Sequence, residues 1–138
     1  MTDMTPNQQK KLIKKAITAM RCSYAPYSQF RVGAALLTRE GRVFQGCNVE
    51  NASYGLTLCA ERTALGAAVA AGHRRFTALA VVSSGQTAPI PCGACLQVLT
   101  EFCKPDCLIM LASTTQPSVF QTYRLKDLLP RAFKLSPR

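Results

Sequence analysis

Hydrophobic residues along this chain switch several times between helical and strand spacing. The first stretch, 6–20, interleaves apolar residues with lysines and begins with Thr5 and Gln8, which form a capping box. Residues 30–38 and 43–48 fit two strands that are joined as a hairpin. The remaining stretches predict helices at 58–71, from 91 or 92 to 102 and at 126–129, and strands at 77–83, 107–113 and 119–123.

The order of these elements predicts a fold class. Helices that alternate with strands are typical of a three-layer α/β/α sandwich, here around a mixed five-stranded sheet. The strand at 77–83 is apolar at almost every position and is therefore predicted to be central. The length of 138 residues fits one domain over 1–138 with a single core.

The composition narrows the classes of function. Apolar runs are too short to cross a bilayer, and the first ten residues lack the core of a signal peptide, so we expect a cytoplasmic protein with no membrane partner. The formal net charge of +10 could suit nucleic acid. The basic residues are scattered, however, and those in 10–15 fit the solvated face of an amphipathic helix. We therefore expect no nucleic-acid partner.

The chain contains seven cysteines, an odd and large number for its length. Without a secretion signal, this favours metal binding or catalysis over a disulfide framework. Four of the cysteines lie outside any metal-binding motif and are predicted to be small core residues: Cys22, Cys47, Cys103 and Cys107.

The other three cysteines lie where two predicted helices begin. Cys59 stands two residues before Glu61, and the segment 91–95 reads Pro-Cys-Gly-Ala-Cys. Helix N-termini favour thiolate, the form that binds zinc, and the C-x2-C spacing lets two sulfurs bind one ion. Three protein ligands leave a fourth position for water, and Glu61 is near enough to exchange a proton with that water. Together the two segments match the zinc-deaminase signature in its three-cysteine form.

Less specific interpretations of the same residues remain open. The three cysteines could join Cys103 or Cys107 in a closed structural zinc site, although such a site does not require Glu61. A redox pair of Cys92 and Cys95 would leave the Cys-Ala-Glu segment unexplained. The catalytic interpretation accounts for more of the residues.

Four stretches resemble the small homotetrameric cytidine deaminases, and the likeness extends along nearly the whole chain. The matching stretches are APYSQFRVGAALL (25–37), NVENASY (48–54), CAERTA (59–64) and PCGAC (91–95). The resemblance implies one zinc ion per subunit, a homotetramer whose active sites neighbouring subunits complete, and hydrolysis of cytidine and 2′-deoxycytidine in pyrimidine salvage.

The resemblance also implies the residues of the zinc centre. The zinc ligands would be Cys59, Cys92 and Cys95. Glu61 would carry protons, and Arg62 would offset the negative charge of three thiolates. Many family members have a second arginine where this chain has Leu96. We therefore expect a more electron-rich zinc centre than is usual in the family.

The substrate-binding residues come from the same resemblance. Asn48 and Glu50 would bind the ribose hydroxyls, and two side chains two apart on an extended strand do face the same way. Phe30 would pack on the nucleoside, and Phe133 would stack on the base in a neighbouring subunit. Three further residues would contribute by analogy: Ala52 and Tyr54 to an adjacent subunit's pocket, and the carbonyl of Ala60 to the amino group.

Three rival functions make different predictions. A deaminase of an antibiotic such as blasticidin S, or of a modified cytidine, would prefer that substrate over cytidine. An editor of polynucleotides would bind RNA or single-stranded DNA in a salt-sensitive way. A structural zinc module that binds nucleic acid would contain zinc but release no ammonia.

Overall fold

A computed structural model describes residues 4–137 of the chain. The first helix begins as its sequence predicts. The Gln8 N–H donates to the Thr5 hydroxyl oxygen at 3.2 Å, and the Thr5 N–H donates to Gln8 Oε1 at 2.8 Å. The helices are α1 (Pro6–Met20), α2 (Ala60–Ala70), α3 (Gly93–Thr100) and α4 (Leu125–Leu128), with a 3₁₀ turn at Tyr54–Leu56. The strands are β1 (Val32–Thr38), β2 (Val43–Cys47), β3 (Phe76–Ser83), β4 (Cys103–Ser113) and β5 (Gln121–Arg124).

The five strands form one mixed sheet in the order β2-β1-β3-β4-β5. Only β3 and β4 pair in parallel, and the other three pairs are antiparallel. Helix α1 covers one face, while α2, α3 and α4 pack on the other. The predicted α/β fold with a mixed five-stranded sheet is therefore confirmed, and β3 is central as predicted.

Strand β3 is buried on both faces, which explains its continuous apolar run. Leu79 and Val81 face the core under α2 and α3, whereas Ala80 and Val82 face the core under α1. All four side chains have no exposed surface. Burial of each leucine or valine side chain contributes about 1.5–3 kcal/mol of hydrophobic stabilisation, so these residues strongly stabilise the centre of the sheet.

Several boundaries differ from the sequence prediction. Strand β1 begins at Val32 rather than at residue 30, because the Asn48 side chain binds the Phe30 carbonyl and the Val32 N–H. Strand β4 begins at Cys103 rather than at 107, and a shift in its pairing with β3 accommodates residues 104–106, two of which are charged. These residues interrupt the apolar pattern and hide the first part of the strand. No helix within residues 4–137 combines the length and the hydropathy of a membrane span.

Candidate metal centre and active site

Two helix N-termini on the same face of the sheet bring three cysteines together. Cys59 is the N-cap of α2, Cys92 is the N-cap of α3, and Cys95 lies in the first turn of α3. Neither N-cap thiol is used to cap its helix. The three sulfur atoms, hereafter the cysteine cluster, all lie within 4.8 Å of one another, and the sulfurs of Cys92 and Cys95 are 3.6 Å apart.

This spacing fits one zinc ion. Tetrahedral zinc with Zn–S bonds of about 2.3 Å holds its sulfurs about 3.8 Å apart, close to the separation found here. Within residues 4–137 the group of candidate ligands contains these three cysteines and no fourth residue. Cys95 is buried and Cys92 is exposed, so one side of the cluster faces solvent. An open side suits a catalytic zinc site better than a closed structural one.

Cys103 and Cys107 belong to a different part of the molecule. Both lie on β4, where Cys107 is buried in the core and Cys103 packs against it. A contact between the two thiols, together with burial, raises the pKa of Cys103. The structure therefore places Cys107 in the core and Cys103 against it, away from the group that could hold a metal. The prediction that the remaining cysteines are core residues is wrong for Cys22, which is exposed where the chain turns after the end of α1, and Cys47 is only half-buried.

The α2 residue after Glu61 supplies positive charge to the cluster. The Arg62 Nη2 atom lies 3.5 Å from the sulfur of Cys59 and donates to the Thr57 carbonyl at 3.3 Å. A hydrogen bond from the Cys95 thiol and the charge of Arg62 lower the pKa of Cys59 to about 5. The buried Arg62 Nε has no hydrogen-bond partner in the described chain. Arg62 thus faces the thiolates, as its predicted role requires.

Glu61 lies in the first turn of α2, and only 6% of it is exposed. Burial, followed by the negative charge of Cys59, raises the pKa of this carboxyl group. A carboxyl group with a raised pKa holds a proton more strongly than an exposed carboxylate does, which suits a group that takes a proton from one atom and delivers it to another. Its position beside the cysteine cluster is the one that a proton carrier needs.

The seating of α2 on the sheet depends on Gly46 of β2. A Cβ atom at this position would overlap the backbone of Ala60 and Ala64 in the first turn of the helix. The absence of a side chain lets the helix start lie flat on β2. The hydroxyl of Thr63 strengthens this contact by donating to the Cys47 carbonyl at 2.8 Å.

The carbonyl of Ala60, which the resemblance assigns to the amino group, already has a partner within α2. Ala60 is completely buried, and its carbonyl accepts a hydrogen bond from the Thr63 hydroxyl at 2.9 Å. Carbonyl groups in a first helical turn point along the axis away from the N-terminus, while the cysteine cluster lies at that N-terminus. The role expected of this carbonyl toward the amino group stays a prediction.

Asn48 and Glu50 reach the same segment, the 24–31 loop, from the end of β2. Only 8% of Asn48 is exposed; its Oδ1 accepts from the Val32 N–H at 3.0 Å, and its Nδ2 donates to the Phe30 carbonyl at 2.8 Å. Glu50 Oε1 accepts from the backbone N–H groups of Tyr27 and Ser28 at 3.0 and 3.2 Å. The two side chains thus face the same way, as their spacing predicts.

The aromatic residues expected at the substrate lie at the surface. Phe30 is partly exposed and packs on Gly85, where a Cβ would lie 2.7 Å from the ring. Phe133 is 70% exposed, and its carbonyl accepts from Gln97 of α3 at 2.9 Å, which fixes the tail beside that helix. Ala52 and Tyr54 are exposed on the segment between β2 and α2, with 77% of Tyr54 accessible.

Ser28 is a residue that the sequence interpretation missed. Its hydroxyl donates to Glu50 Oε2 and accepts from the Phe30 N–H at 3.0 Å. The only available signal was its place in a turn-rich segment one residue after Tyr27, which does not indicate where a side chain points.

A large cavity lies far from this chemistry. It measures about 490 Å³ and is bounded by α1 and the opposite face of the sheet, with Lys11, Leu37 and Leu108 in its lining. It contains none of the cysteines, so volume alone does not identify the candidate active site.

Comparisons with known proteins agree with this geometry. A family model described as "Cytidine and deoxycytidylate deaminase zinc-binding region" matches residues 6–111. A curated cytidine deaminase of Halalkalibacterium halodurans is 49% identical over 88% of this chain and 91% of its own length. A cytidine deaminase of Mycobacterium tuberculosis is 47% identical over 87% of this chain and 85% of its own.

Solved structures of cytidine deaminases are also similar to this chain. The crystal structure of a cytidine deaminase from Burkholderia pseudomallei has a TM-score of 0.86 and 50% identity, and covers 94% of this chain and 100% of that chain. The Mycobacterium tuberculosis cytidine deaminase structure has a TM-score of 0.79 and 43% identity, and covers 96% of this chain and 100% of that chain.

Proposed function

This chain belongs to the cytidine and deoxycytidylate deaminase family, and we propose that Glu61 is the proton carrier of its active site. The reaction is the zinc-dependent hydrolytic deamination of cytidine and 2′-deoxycytidine, in which water replaces the exocyclic amino group. The products are uridine or 2′-deoxyuridine and ammonia, so the enzyme serves pyrimidine salvage. It is a hydrolase that acts on a cyclic amidine C–N bond.

The observation that carries this proposal is the cysteine cluster together with the buried carboxyl group of Glu61, two residues after Cys59 in the first turn of α2. Cys59, Cys92 and Cys95 would hold the zinc, a Lewis acid that makes water a nucleophile near neutral pH. Glu61 takes a proton from water and delivers it to N3 of the cytosine ring. Glu61 then takes the proton of the hydroxyl group that has been added to C4 and passes it to the departing amine, so that C4 becomes a carbonyl carbon of the product. Arg62 offsets the charge of the thiolates.

Substitution of Glu61 tests this role directly. Glu61→Gln keeps the shape of the side chain but cannot accept a proton, so we expect kcat for cytidine to fall about 10²- to 10⁴-fold while zinc stays bound. The assay follows the ultraviolet change from cytidine to uridine, alongside a zinc determination. Glu101→Gln, an exposed acid at the end of α3, is the matched control and should retain wild-type kcat. Full activity in Glu61→Gln would refute the assignment.

Measurements of substrate turnover, of nucleic-acid binding and of zinc content separate the rival functions. Faster turnover of blasticidin S than of cytidine would favour an antibiotic deaminase. Salt-sensitive binding of RNA or single-stranded DNA would favour a polynucleotide editor. Zinc without ammonia release would favour a structural module.

We further propose that the sugar and base are bound by residues outside the cysteine cluster. Asn48 and Glu50 would bind sugar hydroxyls, since both side chains converge on the 24–31 loop. Phe30, held on Gly85, would form a wall against the nucleoside. The contacts that support these roles are the main-chain hydrogen bonds that fix both polar side chains.

A homotetramer is proposed as the working assembly of the single domain. Large apolar side chains are exposed around the cysteine cluster and the tail: Tyr54, Leu56, Leu58, Ile90, Phe133 and Leu135. An exposed set of this kind favours contact with another subunit. Ala52, Tyr54 and Phe133 would then complete a neighbour's site. Light scattering of the purified protein should give four times the mass of the chain.

A reducing compartment is also proposed. All seven cysteines lie within the described residues and none forms a disulfide, which supports a cytoplasmic location. Fractionation of cells that express the tagged protein tests this location.

A further inference from the structure

One hydroxyl group connects the two segments that would hold the sugar. The Ser28 hydroxyl donates to Glu50 Oε2 and accepts from the Phe30 N–H at 3.0 Å. Ser28 therefore contacts both a carboxylate proposed to bind sugar and the main chain of an aromatic residue proposed to face the nucleoside. Its own donor and acceptor are used in these two contacts.

The loop that carries Ser28 has an unusual backbone conformation. Gln29 has φ of +56°, in the left-handed region that few residues other than glycine adopt. Its N–H donates to the Ala25 carbonyl at 2.9 Å, and the next N–H, that of Phe30, donates back to Ser28. Such a conformation is unfavourable for a residue other than glycine and persists only when surrounding contacts hold it. The Ser28 hydroxyl is one of those contacts.

The hydrogen-bonding capacity of Glu50 limits what it can bind. A carboxylate offers about four acceptor positions. In Glu50 three of them are used, by the N–H groups of Tyr27 and Ser28 and by the Ser28 hydroxyl. One acceptor position is left, and Asn48 retains one N–H beyond its bond to the Phe30 carbonyl. These two remaining positions suffice for a single hydroxyl, which would donate to Glu50 and accept from Asn48.

We propose that Ser28 is a positioning residue that orients the Glu50 carboxylate so that it recognises one sugar hydroxyl of the nucleoside. This inference rests on the sugar-binding role proposed for Glu50 and names the residue that sets its geometry. It explains how one site can accept both cytidine and 2′-deoxycytidine, because only one hydroxyl is required. Ser28 itself does not contact the reacting atoms.

The ionisation of Glu50 supports the same arrangement. The hydrogen bond from Ser28 is the largest influence that lowers the pKa of this carboxyl group, followed among the lowering contacts by the backbone N–H groups of Ser28 and Tyr27. An ionised carboxylate accepts a hydroxyl hydrogen bond more strongly than a neutral acid does.

The test compares cytidine, 2′-deoxycytidine and 2′,3′-dideoxycytidine in the zinc-loaded enzyme. We expect the wild type to turn over the first two and to discriminate against the third. Ser28→Ala should raise KM for cytidine about 10-fold, as expected for a lost charge-assisted hydrogen bond, with a much smaller change in kcat. Its discrimination against the dideoxy substrate should fall by the same factor.

Two further variants keep the test informative if Ser28→Ala folds poorly. Ser28→Thr retains the hydroxyl and should retain discrimination, whereas Ser28→Cys replaces it with a weak donor of similar size and should lose it. Ser23→Ala is the matched control, because the Ser23 hydroxyl donates to the Val32 carbonyl at 3.1 Å and makes no contact with Glu50. It should discriminate as the wild type does.

A double-mutant cycle decides whether Ser28 acts through Glu50. If it does, kcat/KM for cytidine in Ser28→Ala/Glu50→Gln equals that of Glu50→Gln alone. Additive losses, or undiminished discrimination in Ser28→Ala and Ser28→Cys, would overturn the inference and leave the deaminase assignment intact. If the wild type turns over all three nucleosides equally, the sugar role of Glu50 fails as well. No turnover of cytidine at all would refute the proposed function itself.

Discussion

The cysteine cluster and the segments proposed to bind the sugar, residues 48–50 and the 24–31 loop, differ in the elements that hold them. The cluster is built on the first turns of α2 and α3, which pack on the central strands, and it is complete within one chain. The residues proposed to bind the sugar lie beyond the end of β2 and contact the 24–31 loop, which includes a left-handed Gln29. Exposed aromatic side chains such as Tyr54 surround them. The candidate metal ligands thus lie on helices that pack on the sheet. The residues proposed to recognise the substrate lie on loops and on surfaces that another subunit can cover.

The largest expected effect tests whether the cluster is the metal centre. Cys92→Ala removes the N-cap sulfur of α3 and leaves two thiols, so we expect zinc to be lost and deamination to fall at least about 10²-fold. Zinc per chain and the rate of uridine formation measure both effects. Cys22→Ala, an exposed cysteine outside the cluster, should keep full zinc content and rate. Equal zinc content in the two variants would mean that the cluster does not bind the metal.

The next effect concerns the charge beside the cluster. Arg62→Gln removes the guanidinium that lies 3.5 Å from the Cys59 sulfur. We expect zinc affinity to fall about 10- to 100-fold, as is usual when a group that orients or neutralises metal ligands is removed. Competition with a chelator measures the affinity.

Arg21→Gln, an exposed arginine at the end of α1, changes the net charge equally and should leave zinc affinity unchanged. A similar loss in both variants would show that overall charge, rather than the position of Arg62, affects the metal.

A third prediction tests whether the cysteine cluster depends on the packing of α2 against β2. Gly46→Ala places a methyl group against backbone atoms of Ala60 and Ala64, which cannot rotate away. We expect a loss of about 1–3 kcal/mol in the free energy of unfolding, together with weaker zinc binding because the start of α2 must shift. Chemical denaturation of the zinc-loaded and metal-free protein measures both.

Gly66→Ala is the matched control for this substitution. Gly66 lies in α2 with open space where a Cβ would be, so alanine should stabilise the protein by about 0.5–1 kcal/mol through helix propensity. Destabilisation of both variants by similar amounts would argue against a specific role for the contact between β2 and α2.

The same difference between the two regions explains how much could be predicted from the sequence. Spacing and helix-start signals located Cys59, Glu61 and Cys92 correctly, because a helix N-terminus fixes where its first residues lie. The path of the 24–31 loop could not be predicted, since it depends on hydrogen bonds between Ser28 and a residue far along the chain.

The smallest expected effect tests the recognition region. Phe133→Ala removes a 70% exposed ring whose main chain is fixed to Gln97. Loss of one aromatic contact is worth about 0.5–1.5 kcal/mol, so KM for cytidine should rise about 2- to 10-fold with kcat nearly unchanged. Leu135→Ala, which is equally exposed on the tail, is the matched control and should leave KM unchanged.

Mixed assemblies show which subunit's site Phe133 serves. If the ring enters a neighbour's site, mixing Phe133→Ala with Glu61→Gln subunits creates sites that combine an intact Glu61 with an intact Phe133 from the partner. KM for those sites should then return toward the wild-type value, although Glu61→Gln alone is inactive. If KM stays high at every mixing ratio, Phe133 acts only within its own chain. The recognition region would then be complete in one subunit, as the cysteine cluster is.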